Sequence, residues 1–403
     1  MTYQNITRSL LPGATIGIFG GGQLGRMTAM AARAMGYRIL VLDPDPACPA
    51  RFVVDGCIEA GWDDPREAAN LARGCDVVTL EIEQISLRSM DAAAAFAPVR
   101  PGKAMLAIIQ DRIEQKDWLH RNHFPIGDYR AVRSIEELRA AVAGLGGQCF
   151  CKSATGGYDG RGQGKVGFDP AADPESEIRG AWEALGKASG VVEQAIDLER
   201  EISVLVARTP SGEVKVYPAA WNHHEHQILA WSVIPAPISP ELESRARKIA
   251  EEIADTFQLE GILAIEFFVT RDRSDSGGPA SKLLVNELAP RPHNSYHASE
   301  RACITGQFEQ HVRAICDLPL GDVDVIQPAA IANLLGDLWQ DPANPTRFDR
   351  EPKFDAALSV PGVRLHLYEK LRARKGRKMG HLSAVASTPE EAVARVQRAM
   401  QLL

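Results

Sequence analysis

At 403 residues the chain is long enough for two or three domains. Its 45% hydrophobic and 24% charged residues are ordinary for a soluble globular protein, and a net charge of −7 argues against a nucleic-acid surface. There is no apolar run of about eighteen residues, so no membrane span is expected, and MTYQNITRSLLPGA lacks the basic start and apolar core of a signal peptide. The seven cysteines are scattered. Cys149 and Cys151, two apart, fall on one strand face, which fits small buried thiols in a reducing cytoplasm.

Ala14 to Phe19 is a short apolar run. GGGQLGRM, a helical stretch and RILVLD follow, which together read as a βαβ unit. Gly20, Gly22 and Gly25 fit GxGxxG, and Asp43 lies about where a ribose-binding acid would sit. Two details count against a nicotinamide cofactor. Gln23 sits inside the turn, and Asp43 is followed by Pro44, Asp45 and Pro46. CDVVTLEIE reads as a further parallel strand ending in Glu81 and Glu83, two apart and so expected on one face. Ligands of open α/β sheets bind beyond the carboxyl ends of strands, so Gln23 and Glu83 are expected at one rim, unless the acids are only a solvated strand end.

PVRPGK marks a domain boundary. Ala104 to Asn122 reads as one helix carrying Arg112 and Lys116 a turn apart. Ser134 to Glu137 is a capping box opening a helix that ends at Gly144. Then comes CKSATGGYDGRGQGK, from Cys151 to Lys165. Its glycines let backbone amides approach an anion, Lys152 supplies a point charge, and Tyr158, Asp159 and Arg161 distinguish it from a plain linker. Small strands and helices carrying such a loop suggest a lid.

Residues 199–207, 213–220 and 229–233 alternate like antiparallel strands. Asn222 to His226 reads as a loop of hydrogen-bonding histidines, since its spacing fits no zinc pattern. GILAIEFFV and SKLLVNELA are two strands joined by a polar loop, with Glu266 in the first and Glu287, after Asn286, ending the second. A carboxylate in an apolar strand is costly unless paired or metal-bound. Two of them facing one way suit Mg²⁺, which keeps positions for phosphate oxygens and water; the plainer reading is a salt bridge to Arg291. APRPHNSYH adds Arg291, His293 and Asn294, a donor set for an oxyanion. Near the end, LHLYEKLRARKGRKMGH gathers Lys370, Arg372, Arg374, Lys375, Arg377, Lys378 and His381 in an acidic protein. It reads either as a solvated turn or as capture of a phosphate-bearing substrate. Thr388 to Glu391 caps the terminal helix, with Pro389 at its first position.

IGIFGGGQLGRM, TLEIEQI, GGYDGRGQGK, NELAPRPHNSYH and the YEK and RKMGH segments together resemble the ATP-grasp enzymes, and among them the N5-carboxyaminoimidazole ribonucleotide synthetase family of purine biosynthesis. The resemblance implies a mixed α/β and α+β fold. It has a Rossmann-like N-terminal domain (1–110) that binds no dinucleotide, a lid (111–195) and a larger C-terminal domain (196–403) with a basic region from about 330. It implies ATP contacts from Arg112, Lys152, Gly157, Tyr158, Asp159, Gly160, Arg161, Gly162, Gln163, the hinge Glu193, Gln194, Ala195 and Ile196, then Glu201, His224, Asn286 and Glu287. Glu266 and Glu287 would hold Mg²⁺. The aminoimidazole ribonucleotide would meet Gln23, Glu83, Tyr158, Asp159, Arg161, His293, Asn294, Lys370 and Arg377. Lys152 would act in phosphoryl transfer, Arg291 would bind bicarbonate, and Asp159 would orient or deprotonate the amine. A cytoplasmic homodimer is implied as well. The rival readings are a formate-dependent glycinamide ribonucleotide transformylase, a nucleotide-binding protein without turnover, and a dinucleotide oxidoreductase.

Overall fold

The computed structural model describes residues 9–156, 162–273, 279–280 and 282–403. The sequence-derived roles of Gly157, Tyr158, Asp159, Gly160 and Arg161 lie outside these described residues.

Four parallel strands form the first sheet: β1 (Thr15–Phe19), β2 (Arg38–Asp43), β3 (Gly56–Glu59) and β4 (Val77–Leu80), in the order β3-β2-β1-β4. β1 and β4 are buried at every residue, as parallel strands covered on both faces must be. The helix Gln23–Ala34 leaves β1 through the glycine turn and packs against the helix Gln307–Ile315.

The stretch read as one helix from Ala104 to Asn122 is two, Lys103–Gln110 and Arg112–Arg121. Asp111 adopts extended dihedrals between them, and its carboxylate accepts from the amides of Ile113 (2.8 Å) and Glu114 (3.3 Å). A short acid that caps competes with helix continuation.

A second, antiparallel sheet holds β5 (Tyr129–Val132), β6 (Cys149–Ser153), β7 (Gln163–Val166) and β8 (Gly190–Gln194), ordered β5-β8-β6-β7. Cys149 and Cys151 point together into its core. The capping box at Ser134 forms: its hydroxyl accepts from the Glu137 amide, while Glu137 reaches back to the amide of Arg133.

The third sheet has nine strands: β9 (Leu198–Arg208), β10 (Val214–Val216), β11 (Ala220–Glu225), β12 (Ile228–Ile234), β13 (Gly261–Thr270) and, after the two-residue pair β14 (Asp272–Arg273) and β15 (Pro279–Ala280), β16 (Leu283–Ala289), β17 (Ala329–Leu335), β18 (Val363–Leu367) and β19 (Lys378–Val385). Their order is β16-β13-β9-β11-β12-β17-β19-β18, with β10 on β9. The segment Asn222 to His226, read as a loop, lies mostly within β11. It pairs with β9 and β12, and a register shift between His223 and His224 breaks the alternation that a strand reading needs. The helix Pro240–Phe257 covers the sheet through Ala246, Ala250 and Ile253.

Candidate active site

β13 and β16 set Glu266 directly opposite Glu287. Burial and the neighbouring Glu287 push the Glu266 carboxyl up to about 7. For Glu287 burial acts upward too, but the Arg112 guanidinium, at 3.3 Å, and Lys152 outweigh it and hold the carboxyl low. Glu287 therefore meets Arg112 and not Arg291. Two facing carboxylates, one of them short of positive charge, fit a divalent cation with oxygen ligands. Among the described residues no group of three or more His, Cys, Asp or Glu has metal-holding geometry.

Across from this pair, Lys152 at the end of β6 lies 2.5 Å from Glu193 and 3.3 Å from Asn286 Oδ1. Glu193 also meets Lys116 at 2.6 Å, and Lys116 donates to the Asn286 carbonyl at 3.1 Å. Burial works against ionising Glu193, but the two ammonium groups outweigh it and hold its carboxyl far below the usual range. Lys116 was noted in the sequence only for its spacing from Arg112. Its one visible signal is a lysine on the same helix face as that arginine. In the segment expected to form the hinge, the amides of Gln194 and Ala195 bond the carbonyls of Asp128 and Gln148, and Ile196 is half-buried. Gly162 and Gln163 follow at the start of β7, and the Ser153 amide bonds the Gly162 carbonyl.

Glu201 on β9 and His224 on β11 lie 3.0 Å apart, though the imidazole and carboxylate are not aligned for a hydrogen bond. Burial lowers the His224 pKa, but Glu201 and Glu266 together raise it above the ordinary value. His293 behaves oppositely. Burial and the charge of Arg291 keep it well below the usual imidazole range, so it is neutral at pH 7. Its Nδ1 lies 2.8 Å from the Ser295 hydroxyl and its Nε2 3.4 Å from Glu266. Asn294 opens the short turn Asn294–Tyr296, and its buried amide nitrogen has no partner.

Arg291 lies 3.0 Å from Glu83, which joins the end of the first sheet to the loop after β16. Burial raises the Glu83 carboxyl and Arg291 draws it back. Glu81 and Glu83 do not share a strand face, because β4 ends at Leu80. Glu81 turns into the glycine turn and accepts from the amides of Gly22 (2.7 Å), Leu24 (3.1 Å) and Gly25 (3.0 Å). Asp43 accepts from Gly21 at 2.7 Å. The GxGxxG donors and the acid assigned to ribose are thus engaged within the protein. This was not legible in the motif, which looks the same with or without an internal acceptor.

Of the basic residues named near the end, Arg372, Arg374 and Lys375 are exposed, Lys370, Arg377 and Lys378 are half-buried and His381 is buried. Lys370 lies over the Tyr368 ring at 5.7 Å, and Arg377 donates to the Arg372 carbonyl. Arg26 reaches Glu369 at 2.8 Å, so the helix after the glycine turn touches this segment.

Three family models match in succession: the ribonucleotide synthetase preATP-grasp domain over residues 13–110, the ATP-grasp domain over 117–308, and the phosphoribosylaminoimidazole carboxylase C-terminal domain over 329–395. The N5-carboxyaminoimidazole ribonucleotide synthase of Brucella melitensis is 41% identical over 377 residues, which is 94% of this chain and 98% of the relative. The crystal structure of N5-carboxyaminoimidazole synthetase from Staphylococcus aureus with ADP superposes with a TM-score of 0.86 at 30% identity, covering 97% of this chain and 98% of that one. The N5-carboxyaminoimidazole synthase of Aspergillus clavatus, solved with ADP and 5-aminoimidazole ribonucleotide, gives 0.85 at 28% identity, covering 98% and 99%.

Proposed function

This chain belongs to the N5-carboxyaminoimidazole ribonucleotide synthase family of ATP-grasp ligases, and from that premise we propose how its site carboxylates 5-aminoimidazole ribonucleotide with ATP and bicarbonate. The observation that carries the reading is the facing pair Glu266 and Glu287, set against Lys152 and Arg112 and followed within four residues by Arg291.

ATP lies between the second and third sheets. Lys152, Arg112 and the amides of the glycine loop offset the charge on the phosphoryl oxygens. Glu193, Gln194, Ala195 and Ile196 contact ATP at the hinge, Glu201 accepts from the ribose hydroxyls, and His224 lies near the nucleotide. Glu266 and Glu287, with Asn286 beside them, would hold Mg²⁺, which when bound neutralises phosphate oxygens. A bicarbonate oxygen attacks the γ-phosphorus and the bond to ADP breaks, giving carboxyphosphate. Arg291, kept in place by Glu83, binds the bicarbonate. The exocyclic amine of the ribonucleotide then attacks the carboxyl carbon. Phosphate leaves, and the amine's proton passes to a base. Asp159 takes that role in this reading, and neutral His293 and Asn294 contact the substrate. Gln23, Glu83, Tyr158 and Arg161 contact the substrate, and Lys370 and Arg377 receive its phosphate. Closure of the lid keeps water from the intermediate.

The deciding experiment measures ADP release with each acceptor and carbon donor varied. Release that requires bicarbonate and aminoimidazole ribonucleotide supports the reading. Release driven by formate and glycinamide ribonucleotide refutes it. The role of Asp159 fails if Asp159→Asn still couples ATP use to product. No helix among the described residues is long and apolar enough to cross a membrane. A cytoplasmic homodimer completes the proposal, and light scattering that finds a monomer at assay concentration removes that part.

A further inference from the structure

The turn Gly20 to Gly25 has the shape of an anion cradle, yet the anion is part of the chain. The Glu81 carboxylate is 6% exposed and takes three amides at the head of the helix Gln23–Ala34. The helix has no side-chain cap of its own at Gly22. Gly20 and Gly22 make room for this acid: a Cβ on Gly22 would fall 2.5 Å from Glu81 Oε1 and one on Gly20 2.7 Å from Glu81 Cγ, whereas one on Gly25 would first meet the Gly20 carbonyl oxygen at 2.6 Å. A dinucleotide pyrophosphate would need the same donors, which accounts for a fingerprint without its ligand.

Gln23 lies between two residues whose amides hold the one carboxylate, Gly22 through Oε1 and Leu24 through Oε2. Its backbone is therefore clamped from both sides. Two residues after Glu81, Glu83 meets Arg291. A single buried side chain thus ties the turn carrying Gln23 to the strand end carrying Glu83.

We propose that Glu81 is a positioning residue for the ribonucleotide: it stands in for a bound anion at the helix head and fixes Gln23 and Glu83 at the distance the substrate requires. The inference rests on the substrate contacts assigned above to Gln23 and Glu83.

The test compares wild type, Glu81→Gln, Glu81→Ala and Gln23→Ala, measuring KM for the ribonucleotide and for ATP separately. Glu81→Gln keeps the volume but turns an amide N–H₂ toward amide donors. It is expected to raise KM for the ribonucleotide about tenfold and leave KM for ATP unchanged. In Glu81→Ala, sodium acetate is expected to bring the ribonucleotide KM back toward wild type, and sodium chloride at equal ionic strength to do nothing. The proposal is overturned if Glu81→Gln raises both KM values alike, if it changes neither by more than about twofold, or if chloride rescues as well as acetate. Should Glu81→Ala not fold, the Gln variant decides alone. If Gln23→Ala leaves the ribonucleotide KM unchanged, the substrate reading of Gln23 fails. If Gln23→Ala raises it and Glu81→Gln does not, only the role of Glu81 fails.

Discussion

Replacing Glu193 by Gln removes one negative charge from between two buried ammonium groups. Lys116 and Lys152 lie 2.6 and 2.5 Å from that carboxylate. Breaking a buried ion pair by removing one partner costs about 3–5 kcal/mol. Part is retained, because Lys116 keeps the Asn286 carbonyl, Lys152 keeps Asn286 Oδ1, and the Gln oxygen still accepts. A neutral hydrogen bond of this kind contributes about 1 kcal/mol, so the expected loss is about 2–4 kcal/mol. Urea denaturation followed by tryptophan fluorescence measures it. The pH dependence gives a second check. The folded carboxyl lies below its unfolded value, so its contribution is present above about pH 4.3 and fades as pH falls through the depressed folded value. The gap between wild type and variant must therefore be full at pH 7 and shrink in acid. A gap under about 1 kcal/mol at pH 7, or one that persists unchanged to pH 3, refutes the bridge as a stabilising element.

Glu266 carries the opposite sign. Its folded carboxyl sits at about 7, above the unfolded value, so ionising it costs stability as pH rises from about 4.3 through 7. Thermal melts across that window should show a shallower slope in Glu266→Gln than in wild type, since the buried carboxyls of Glu81 and Glu300 are also raised to about 7 and remain. A Mg²⁺-nucleotide should bind wild type more tightly over the same rise, and calorimetry should find Glu266→Gln flat. Asp111→Ala removes the cap beneath Arg112, with an expected loss of about 1 kcal/mol of stability and a higher KM for ATP at nearly unchanged kcat. Lys152→Met leaves Glu193 paired with Lys116 and should lower kcat about 10²- to 10³-fold in the ADP-release assay.

The facing of Glu266 and Glu287 was legible because two apolar runs joined by a polar segment read as paired strands, each carrying a carboxylate; the register shift between Glu266 and Phe267 was not. The terminal cap was legible for a similar local reason: Thr388 accepts from Glu391, and Glu391 reaches back to Ser387. The Glu193 bridge was not, because its two lysines come from a helix and a strand that only the tertiary fold brings together. β11 was hidden for another reason. Its histidines and asparagine have no strand pattern of their own, and its neighbours on both sides supply the pairing. In the broken helix from Lys103 to Arg121, apolar periodicity runs through Asp111 while a short side chain decides the local backbone.

Arg26 and Glu369 place the first and last of the recognised motifs in contact. The pair alone is a weak tether, since Glu369 is half exposed and salt and water screen it. Packing supplies the rest: Leu24 and Met27 from the helix after the glycine turn meet Phe308 and Tyr368 in one buried cluster. Lys370, two residues beyond Tyr368, is therefore fixed relative to Gln23 by apolar contacts, not by charge. On the proposed assignment the two ends of the ribonucleotide are then held by one rigid unit, made from the first sheet and the C-terminal segment. The nucleotide instead depends on the second sheet, whose Lys152 and Glu193 must keep their register with Asn286 on β16. On the same assignment, opening the second sheet would disturb the triphosphate contacts and the ribonucleotide contacts assigned to Tyr158, Asp159 and Arg161, while those assigned to Gln23, Glu83, Lys370 and Arg377 stay with the first sheet and the C-terminal segment.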